Sequence, residues 1–243
     1  MRPTTIFVAA LLAVVAVSPA MAQSMDVDLK GADGVNLKGT YTSPGQPGPA
    51  MLLIHQCNMD RTSWQGITTQ LVDAGIHVLT LDLRGFGDSE GEGMSGGFPN
   101  LLMKSSGDVD IAFDYLVGKD GVDGSRVGVG GASCGAMLTA DLASRQSGVT
   151  TLMLLSGPPS EGASAHIAST AGLAVFGAAA TEDSIIEGVA DTIKGAVDGS
   201  TNPHSMAKIY GGTEHGLPMF GVNSDLEPAL VSWLKTQLLS DSN

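Results

Sequence analysis

Short, continuous apolar runs alternate with longer segments of helical spacing along most of this 243-residue chain. The runs at 50–55 and 77–83 lack polar alternation, which is typical of strands covered on both faces of a parallel sheet. Segments such as 101–117 repeat apolar residues at helical spacing. This alternation predicts an α/β fold with a mostly parallel sheet and helices on both faces. The predicted strands are 50–55, 77–83, 126–130, 149–155, 173–178 and 206–210, and the predicted helices are 64–74, 101–117, 134–146, 184–197 and 225–239.

The polypeptide outside this alternation is predicted to form a hairpin and two loops. Residues 25–41 alternate apolar and polar side chains around a central Asp-Gly pair, which predicts an N-terminal antiparallel hairpin. Residues 84–100 are rich in glycine, serine and acid, and residues 156–170 contain a Pro-Pro pair and many small side chains. Both segments are predicted to be irregular. The second is too short for a lid domain, so we expect an open site.

The first 22 residues have the pattern of a secretory signal peptide. Arg2 supplies a positive start, residues 6–17 are apolar, and residues 20–22 match the A-x-A cleavage signal. We therefore expect cleavage before Gln23, export to the periplasm or the medium, and a single folded domain over 23–243. An uncleaved membrane anchor is the alternative, which is disfavoured because a bilayer span needs about 20 apolar residues.

The charge balance of the chain is strongly acidic. Its 12 Lys and Arg residues and 25 Asp and Glu residues give a formal net charge of −13, or −14 once Arg2 is removed. Such a surface disfavours binding to nucleic acid and to anionic membranes. No segment after the signal pattern is apolar for long enough to span a bilayer. The histidines and cysteines show neither H-x-x-x-H nor C-x-x-C spacing, so no metal site is predicted.

A glycine-flanked serine lies at the junction of a predicted strand and a predicted helix. The sequence Gly131-Ala132-Ser133-Cys134-Gly135 matches G-x-S-x-G and precedes an uninterrupted helix-forming run. Strand, sharp turn and helix form the context in which this motif exposes a nucleophilic serine. The two glycines leave room for a strained turn, so Ser133 is the predicted nucleophile. The alternative is a serine in an ordinary glycine-rich turn.

Three other stretches follow predicted strands, and with the serine turn they resemble a known superfamily. They are Ile54-His55-Gln56-Cys57-Asn58, Asp82-Leu83-Arg84-Gly85-Phe86-Gly87-Asp88-Ser89-Glu90-Gly91 and Gly211-Gly212-Thr213-Glu214-His215-Gly216. The set resembles the α/β-hydrolases over roughly residues 25–240, and most of all their small capless branch of dienelactone-hydrolase-like and esterase-like proteins. The resemblance implies a three-layer α/β-hydrolase fold. Within the second stretch, Asp82 and Arg84 are expected to pair locally.

The resemblance also implies a catalytic triad in the chain order serine, acid, histidine. His215 follows the last predicted strand and would be the base, whereas His204 is a weaker rival because it precedes that strand. Asp183 follows the penultimate predicted strand and matches the position of the acid best. The acid would orient the imidazole and stabilise its charged form. The alternative acids are Glu182 and Glu161.

Two backbone N–H groups would stabilise the oxyanion of the reaction. The resemblance assigns one to Cys134, directly after the nucleophile, and the other to Cys57 in the loop after His55. Many relatives carry His-Gly at this point, whereas this chain has His55-Gln56. The loop conformation is therefore in question, because glutamine does not adopt positive φ as glycine does. His55 is expected to brace the loop by hydrogen bonding.

Both cysteines of the chain thus fall on the two predicted donor positions. If these donors are neighbours, a Cys57–Cys134 disulfide is sterically accessible, and it would either stabilise a long loop or crowd the oxyanion site. The sequence leaves open whether the bond forms. Cys134 as the nucleophile is disfavoured because alanines would flank it where glycines flank Ser133. A redox function is disfavoured because the chain has no C-x-x-C.

Together these features predict an exported serine hydrolase that cleaves a small ester or lactone through an acyl-enzyme and needs no cofactor. Small peptides and amides are alternative substrates for the same residues. A hydrolase-fold protein that binds a ligand or partner without turnover is the alternative function. That alternative is motivated by Gln56 and by the potential disulfide.

Overall fold

A single eight-stranded sheet runs through the part of the protein that the computed structural model describes, residues 22–240. The predicted signal peptide, apart from Ala22, lies outside the described residues. The strands are β1 (Gln23–Lys30), β2 (Asn36–Ser43), β3 (Gly48–Ile54), β4 (His77–Leu81), β5 (Val122–Ala132), β6 (Val149–Leu155), β7 (Ala174–Ala180) and β8 (Met206–Tyr210). Their order across the sheet is β1-β2-β4-β3-β5-β6-β7-β8.

The sheet is parallel except at its N-terminal edge. β1 pairs antiparallel with β2, and β2 pairs antiparallel with β4, whereas every other neighbouring pair is parallel. The hairpin turns through Gly34, whose φ of 87° is readily adopted only by glycine, and Gly31 N–H donates to the carbonyl of Val35 at 2.9 Å. The predicted hairpin and mostly parallel sheet are confirmed.

Helices cover both faces of the sheet, as the strand-helix alternation predicts. No helix within residues 22–240 has the length and apolar character needed to cross a membrane. The helices are α1 (Gln65–Val72), α2 (Phe98–Val117), α3 (Cys134–Arg145), α4 (Glu161–Ser169), α5 (Val189–Asp198), α6 (Met219–Val222) and α7 (Leu226–Leu239), with short 3-10 helices at Arg61–Trp64 and Gly93–Gly96.

Each face of the sheet has its own hydrophobic core. Leu52 and Ile54 of β3 face α2 and α3, whereas Met51 and Leu53 of the same strand face α1 and α7. This division follows from strand geometry, because successive side chains point to opposite faces. All seven residues of β3 are buried, which explains why its sequence is continuously apolar rather than alternating. The three-layer α/β architecture is therefore confirmed.

The segment 156–170 differs from its prediction, because most of it forms α4. Ser160 caps the helix by accepting a hydrogen bond from Ala163 N at 3.1 Å. Ala163 and Ile167, one turn apart, are its buried residues. With only two buried positions and many small side chains, the segment lacks the apolar stripe by which longer helices are predicted.

Candidate active site

Ser133 lies in a strained turn between β5 and α3. Its φ of 53° and ψ of −122° are unusual for a side chain with a Cβ. Backbone hydrogen bonds hold the turn on both sides: Ser133 N donates to Leu155 O at 2.8 Å, and Met137 N donates to Ser133 O at 3.1 Å. Ser133 is half-buried, so its hydroxyl stands at the border between protein and solvent.

Glycines are required around this turn because there is no room for a Cβ atom. A Cβ on Gly131 would collide with the backbone of Gly135, and a Cβ on Gly135 would collide with the carbonyl of Ile54 at the end of β3. Gly157, which was not predicted to contribute, is equally confined, because a Cβ there would collide with the carbonyl oxygen of Ser133. The first two follow from the motif. Gly157 comes from a different strand end, and no local pattern marks it.

His215 and Asp183 form a buried hydrogen-bonded pair at the same edge of the sheet. His215 Nδ1 lies 2.8 Å from both carboxylate oxygens of Asp183, and the two side chains are 8% and 1% exposed. The carboxylate is therefore the acceptor of the Nδ1 proton, which leaves Nε2 of a neutral ring unprotonated. Nε2 is buried and has no hydrogen-bond partner among the described residues. An imidazole in this state can accept a proton.

The loop between β7 and α5 keeps Asp183 ionised. Burial raises the pKa of Asp183, but the amides of Ile186 and Ile185 and the His215 ring outweigh it and lower the pKa below its ordinary 3.8. The two amides donate to Asp183 Oδ1 at 3.0 and 2.9 Å. Because Asp183 binds these two amides, residues 183–186 form a loop, and α5 begins at Val189 rather than at the predicted residue 184.

The other acids and the other histidine considered for these positions lie elsewhere. Glu182, next to Asp183, is exposed, and Glu161 is exposed in the first turn of α4. His204 is exposed, and its carbonyl accepts a hydrogen bond from Trp233 at 2.8 Å. Of the residues considered for acid and base, the structure brings together Asp183 and His215.

The loop that carries His215 packs directly on the serine turn. A Cβ on Gly216 would lie 3.5 Å from the Cβ of Ala132, the residue before Ser133. Gly216 has a φ of 67°, which turns the chain back over the end of β5. The residue after the histidine thus lies against the residue before the serine, at the carboxyl edge of the parallel sheet where such folds bind ligands.

A disulfide joins Cys57 to Cys134, with a Cα–Cα distance of 5.9 Å across a sequence separation of 77. The two predicted donor residues are therefore neighbours, and the question that the sequence left open is answered. Neither amide donates to a backbone or side-chain acceptor within residues 22–240. The disfavoured alternative of Cys134 as the nucleophile does not fit the structure, because its sulfur is buried and lies in the disulfide.

Gln56 fits where many relatives have glycine because the loop does not use positive φ there. Within residues 22–240 the only non-glycine residues with positive φ are Ser133 and Ser156. The buried Gln56 side chain accepts a hydrogen bond from Leu217 N at 2.9 Å and donates to Asn58 Oδ1 at 2.8 Å. Sequence reasoning identified the departure but not its partner, which lies 161 positions away.

His55 braces the same loop, as expected. Its Nδ1–H donates to the carbonyl of Gln56 at 2.8 Å, and its Nε2 accepts from Leu83 N at 3.0 Å. Burial lowers the pKa of His55 below its ordinary 6.5, against smaller opposing effects of Gln56 and Asp82. Protonation would turn Nε2 into a donor facing another donor, so the neutral ring is the form that fits.

The expected pairing of Asp82 with Arg84 is wrong, because each has partners in other segments. The Asp82 carboxylate forms an ion pair with Arg61 and accepts the Arg61 amide at 2.7 Å. Arg84 instead binds Asp108 of α2 at 2.6 Å and Asp33 of the hairpin turn at 2.8 Å. These pairs, of which the one with Asp33 is half-exposed, connect the loop after β4 to three different elements.

Comparison with known families shows the family to which the chain belongs. The model of the family described as "Serine aminopeptidase, S33" matches residues 45–192, more than half of the chain. The chain belongs to this family of α/β-hydrolases. The matched part of the chain contains Ser133 and Asp183 and ends before His215. Within residues 22–240, no three His, Cys, Asp or Glu side chains are grouped so that they could hold a metal ion.

Several solved structures share the fold of this protein. An esterase from Pyrococcus furiosus has a TM-score of 0.70 at 16% identity, covering 89% of this chain and 91% of the other. An acetyl xylan esterase from Paenibacillus sp. R4 has a TM-score of 0.69 at 18% identity, covering 91% and 90%. A predicted CIB-like hydrolase from Thermoplasma acidophilum has a TM-score of 0.69 at 14% identity, covering 89% and 100%.

Among curated proteins, the chain is similar to an uncharacterised protein of Mycobacterium tuberculosis. The two are 31% identical over 120 residues, which is 49% of this chain. The match spans 40% of that relative's length. Because that relative is uncharacterised, the likeness indicates neither an activity nor a substrate.

Proposed function

We propose that this hydrolase is an exported serine esterase that cleaves small esters or lactones through an acyl-enzyme. The observation that supports this best is the state of the His215 ring. Its Nδ1 is bound to Asp183 at 2.8 Å, while its buried Nε2 has no partner among the described residues. This ring lies at the edge of the sheet that carries the strained turn of Ser133, and a serine hydroxyl needs such a base to react.

In the proposed acylation, Ser133 Oγ attacks the ester carbonyl while His215 Nε2 accepts the hydroxyl proton. The imidazolium is stabilised by the ionised Asp183, whose pKa is lowered by its loop amides and by His215 despite burial. His215 then donates the proton to the leaving alkoxide as the carbon–oxygen bond breaks. Water repeats the sequence on the acyl-enzyme, with His215 again as base, and releases the acid and free Ser133.

The developing negative charge in each step requires fixed donors. We assign the N–H groups of Cys57 and Cys134 to this role, because they are neighbours and neither donates to a protein acceptor within residues 22–240. Cys134 also begins α3, so its N–H carries the partial positive charge of a helix N-terminus. Loss of one such donor typically lowers kcat by about 10²–10³.

A second candidate is hydrolysis of N-terminal peptide bonds by the same residues. It is favoured by the description of the matching family, serine aminopeptidase. The two candidates differ in the leaving group, because an amine must be protonated before it departs whereas an activated phenolate need not be. Substrates that share one acyl group and differ in the leaving group therefore separate them.

The test is turnover of two matched substrate series by the purified protein. p-Nitrophenyl esters with acetyl to octanoyl and aminoacyl groups represent the first candidate, and p-nitroanilides of the same acyl groups represent the second. We expect ester hydrolysis that disappears in Ser133→Ala, with little or no anilide cleavage. Faster cleavage of the anilides would favour the peptidase, and ester turnover that persists in Ser133→Ala would contradict both candidates.

Export is part of the proposal and rests on the pattern of residues 1–22. Cleavage before Gln23 would leave the described fold complete, because β1 begins at that residue. An oxidising compartment also suits a protein with a disulfide.

A further inference from the structure

We infer that Gln56 and the Cys57–Cys134 disulfide act together as positioning groups for the oxyanion donors. The donor loop, residues 55–58, is tied by the disulfide to the serine turn and by Gln56 to the loop that carries His215. Full turnover then requires the oxidised bond and the glutamine. The inference rests on the proposed function and concerns how its site is held and regulated.

The disulfide connects the rigidly held donor residue Cys134 to the less rigidly held Cys57. Cys134 is fully buried at the start of α3, and its neighbour Gly135 packs on the backbone of Ile54 with no room for a Cβ. Cys57 is half-buried, and the backbone bonds next to it are local ones, from Asn58 N and Met59 N to Gln56 O at 2.8 and 3.0 Å. The disulfide therefore holds the Cys57 amide at a set distance from the rigid helix.

The second link joins the donor loop to the loop that carries His215. Gln56 Oε1 accepts the Leu217 amide, two residues after His215, at 2.9 Å. The side chain can reach this amide because Gly216 has no Cβ, which would collide with Gln56 Oε1. Gln56 Nε2 donates to Asn58 Oδ1 at 2.8 Å, so both polar atoms of the Gln56 side chain are hydrogen-bonded and its orientation is fixed.

Oxyanion donors act through preorganisation, since they must face the developing charge without moving at the moment of reaction. The two links fix the donor loop relative to both the nucleophile and the base. Breaking either link leaves Ser133, His215 and Asp183 intact but allows the Cys57 amide to move. We therefore expect a loss in kcat with little change in KM.

This arrangement makes turnover depend on the redox state of the compartment. In a reducing cytoplasm, both residues would be thiols and the donor loop would be held by Gln56 alone. On export, the two thiols would lose two electrons and two protons to a disulfide-bearing oxidant as the sulfur–sulfur bond forms. The site would reach its full rate only after that step.

The experiment compares oxidised and reduced protein with matched variants. Dithiothreitol gives two electrons and two protons to the Cys57–Cys134 bond and closes to its own cyclic disulfide. In this reductant we expect kcat for an ester to fall at least about tenfold and KM to change less than about threefold. Cys57→Ser with Cys134→Ser should show the low kcat with or without the reductant. Gln56→Met should lower kcat similarly in the oxidised protein, and Gln70→Met, on α1, should leave it within about twofold.

Titration with a fluorophosphonate distinguishes positioning from loss of structure. A positioning role predicts that every molecule is eventually labelled, but more slowly after reduction or in Gln56→Met. A fractional endpoint would show partly unfolded protein and would overturn the role. Unchanged or increased kcat after reduction, or in Gln56→Met, would also overturn it. Absence of labelling and turnover in oxidised wild type would contradict the proposed function, and the inference with it.

Discussion

Ser133, the proposed nucleophile, has a strained backbone. A non-glycine residue at a φ of 53° and a ψ of −122° costs about 1–3 kcal/mol, which the surrounding structure must offset. The offset comes from backbone bonds to Leu155 and Met137 and from close packing at three glycines. At this scale the sequence predicted the serine and both motif glycines, because all three lie within five consecutive positions.

Asp183 should be far more important for activity than its neighbour Glu182. Asp183→Asn keeps the shape of the side chain but stabilises the imidazolium poorly and admits the wrong ring tautomer, so we expect kcat to fall by about 10³–10⁴. Glu182→Gln, which removes an exposed charge, should stay within about twofold. Steady-state ester hydrolysis with both purified variants checks this. Comparable losses in the two variants, or a larger loss in Glu182→Gln, would contradict the assignment.

His55 should make the protein less stable in mild acid. Because burial lowers its pKa in the folded state, the unfolded chain takes up the proton first as the pH falls below 6.5. Its contribution to stability is complete above that pH and declines below it, by at most about 1.4 kcal/mol per pH unit for one proton. Urea unfolding of wild type and His55→Asn at pH 7.5 and 5.5 measures it. Equal losses of unfolding free energy in the two proteins would argue against this role.

The role of Gln56 could not be predicted from the residue itself. Its departure from the usual glycine was visible in the sequence, but its effect depends on an amide 161 positions away and on a glycine that lacks a Cβ. The choice between Asp183 and Glu182 as the acid likewise depends on the fold. Adjacent acids in one loop look alike until the fold turns one of them toward His215.

The candidate site residues follow the carboxyl ends of four strands of the sheet. β5 delivers the serine, β7 the acid and β8 the histidine, while β3 leads into the donor loop. Apolar runs predicted these strands because both faces of the sheet are covered. The short α4 was missed since it buries only Ala163 and Ile167, and its cap at Ser160 lies in a segment of small residues.

The contact between the loop after β6 and the serine turn gives a test at this scale. Gly157→Ala places a Cβ against the carbonyl oxygen of Ser133, a backbone atom that can move only with the turn. We expect a loss of about 1–3 kcal/mol in unfolding free energy and a lower kcat. In Gly162→Ala, on α4, the nearest atom is 3.9 Å away, so that control should be neutral or slightly stabilising. Equal stabilities for the two variants would contradict the packing described.

At the scale of the whole molecule, the fold is a sheet between two cores, with the site at one edge. The fold class was predictable because most buried strands carry a short, continuous apolar run and the alternation admits few topologies. The disulfide was not decided by the sequence, because it depends on how close two loops come across 77 positions. Proximity of that kind is a property of the assembled sheet.

Export should leave Gln23 at the N-terminus of the mature protein. Residues 20–22 match the cleavage signal, and Gln23 is the first residue of β1. Intact-mass measurement and N-terminal peptide sequencing of protein recovered from a periplasmic extract check this. Recovery of the protein in the membrane fraction with residues 1–22 retained would favour the uncleaved anchor instead.

The most direct test of the central claim is to locate the covalent adduct of a fluorophosphonate on the oxidised protein by peptide mass spectrometry. The account predicts one adduct, on Ser133, which is absent in Ser133→Ala and forms far more slowly in His215→Gln. An adduct on another residue, or labelling of wild type and Ser133→Ala to the same extent, would contradict it.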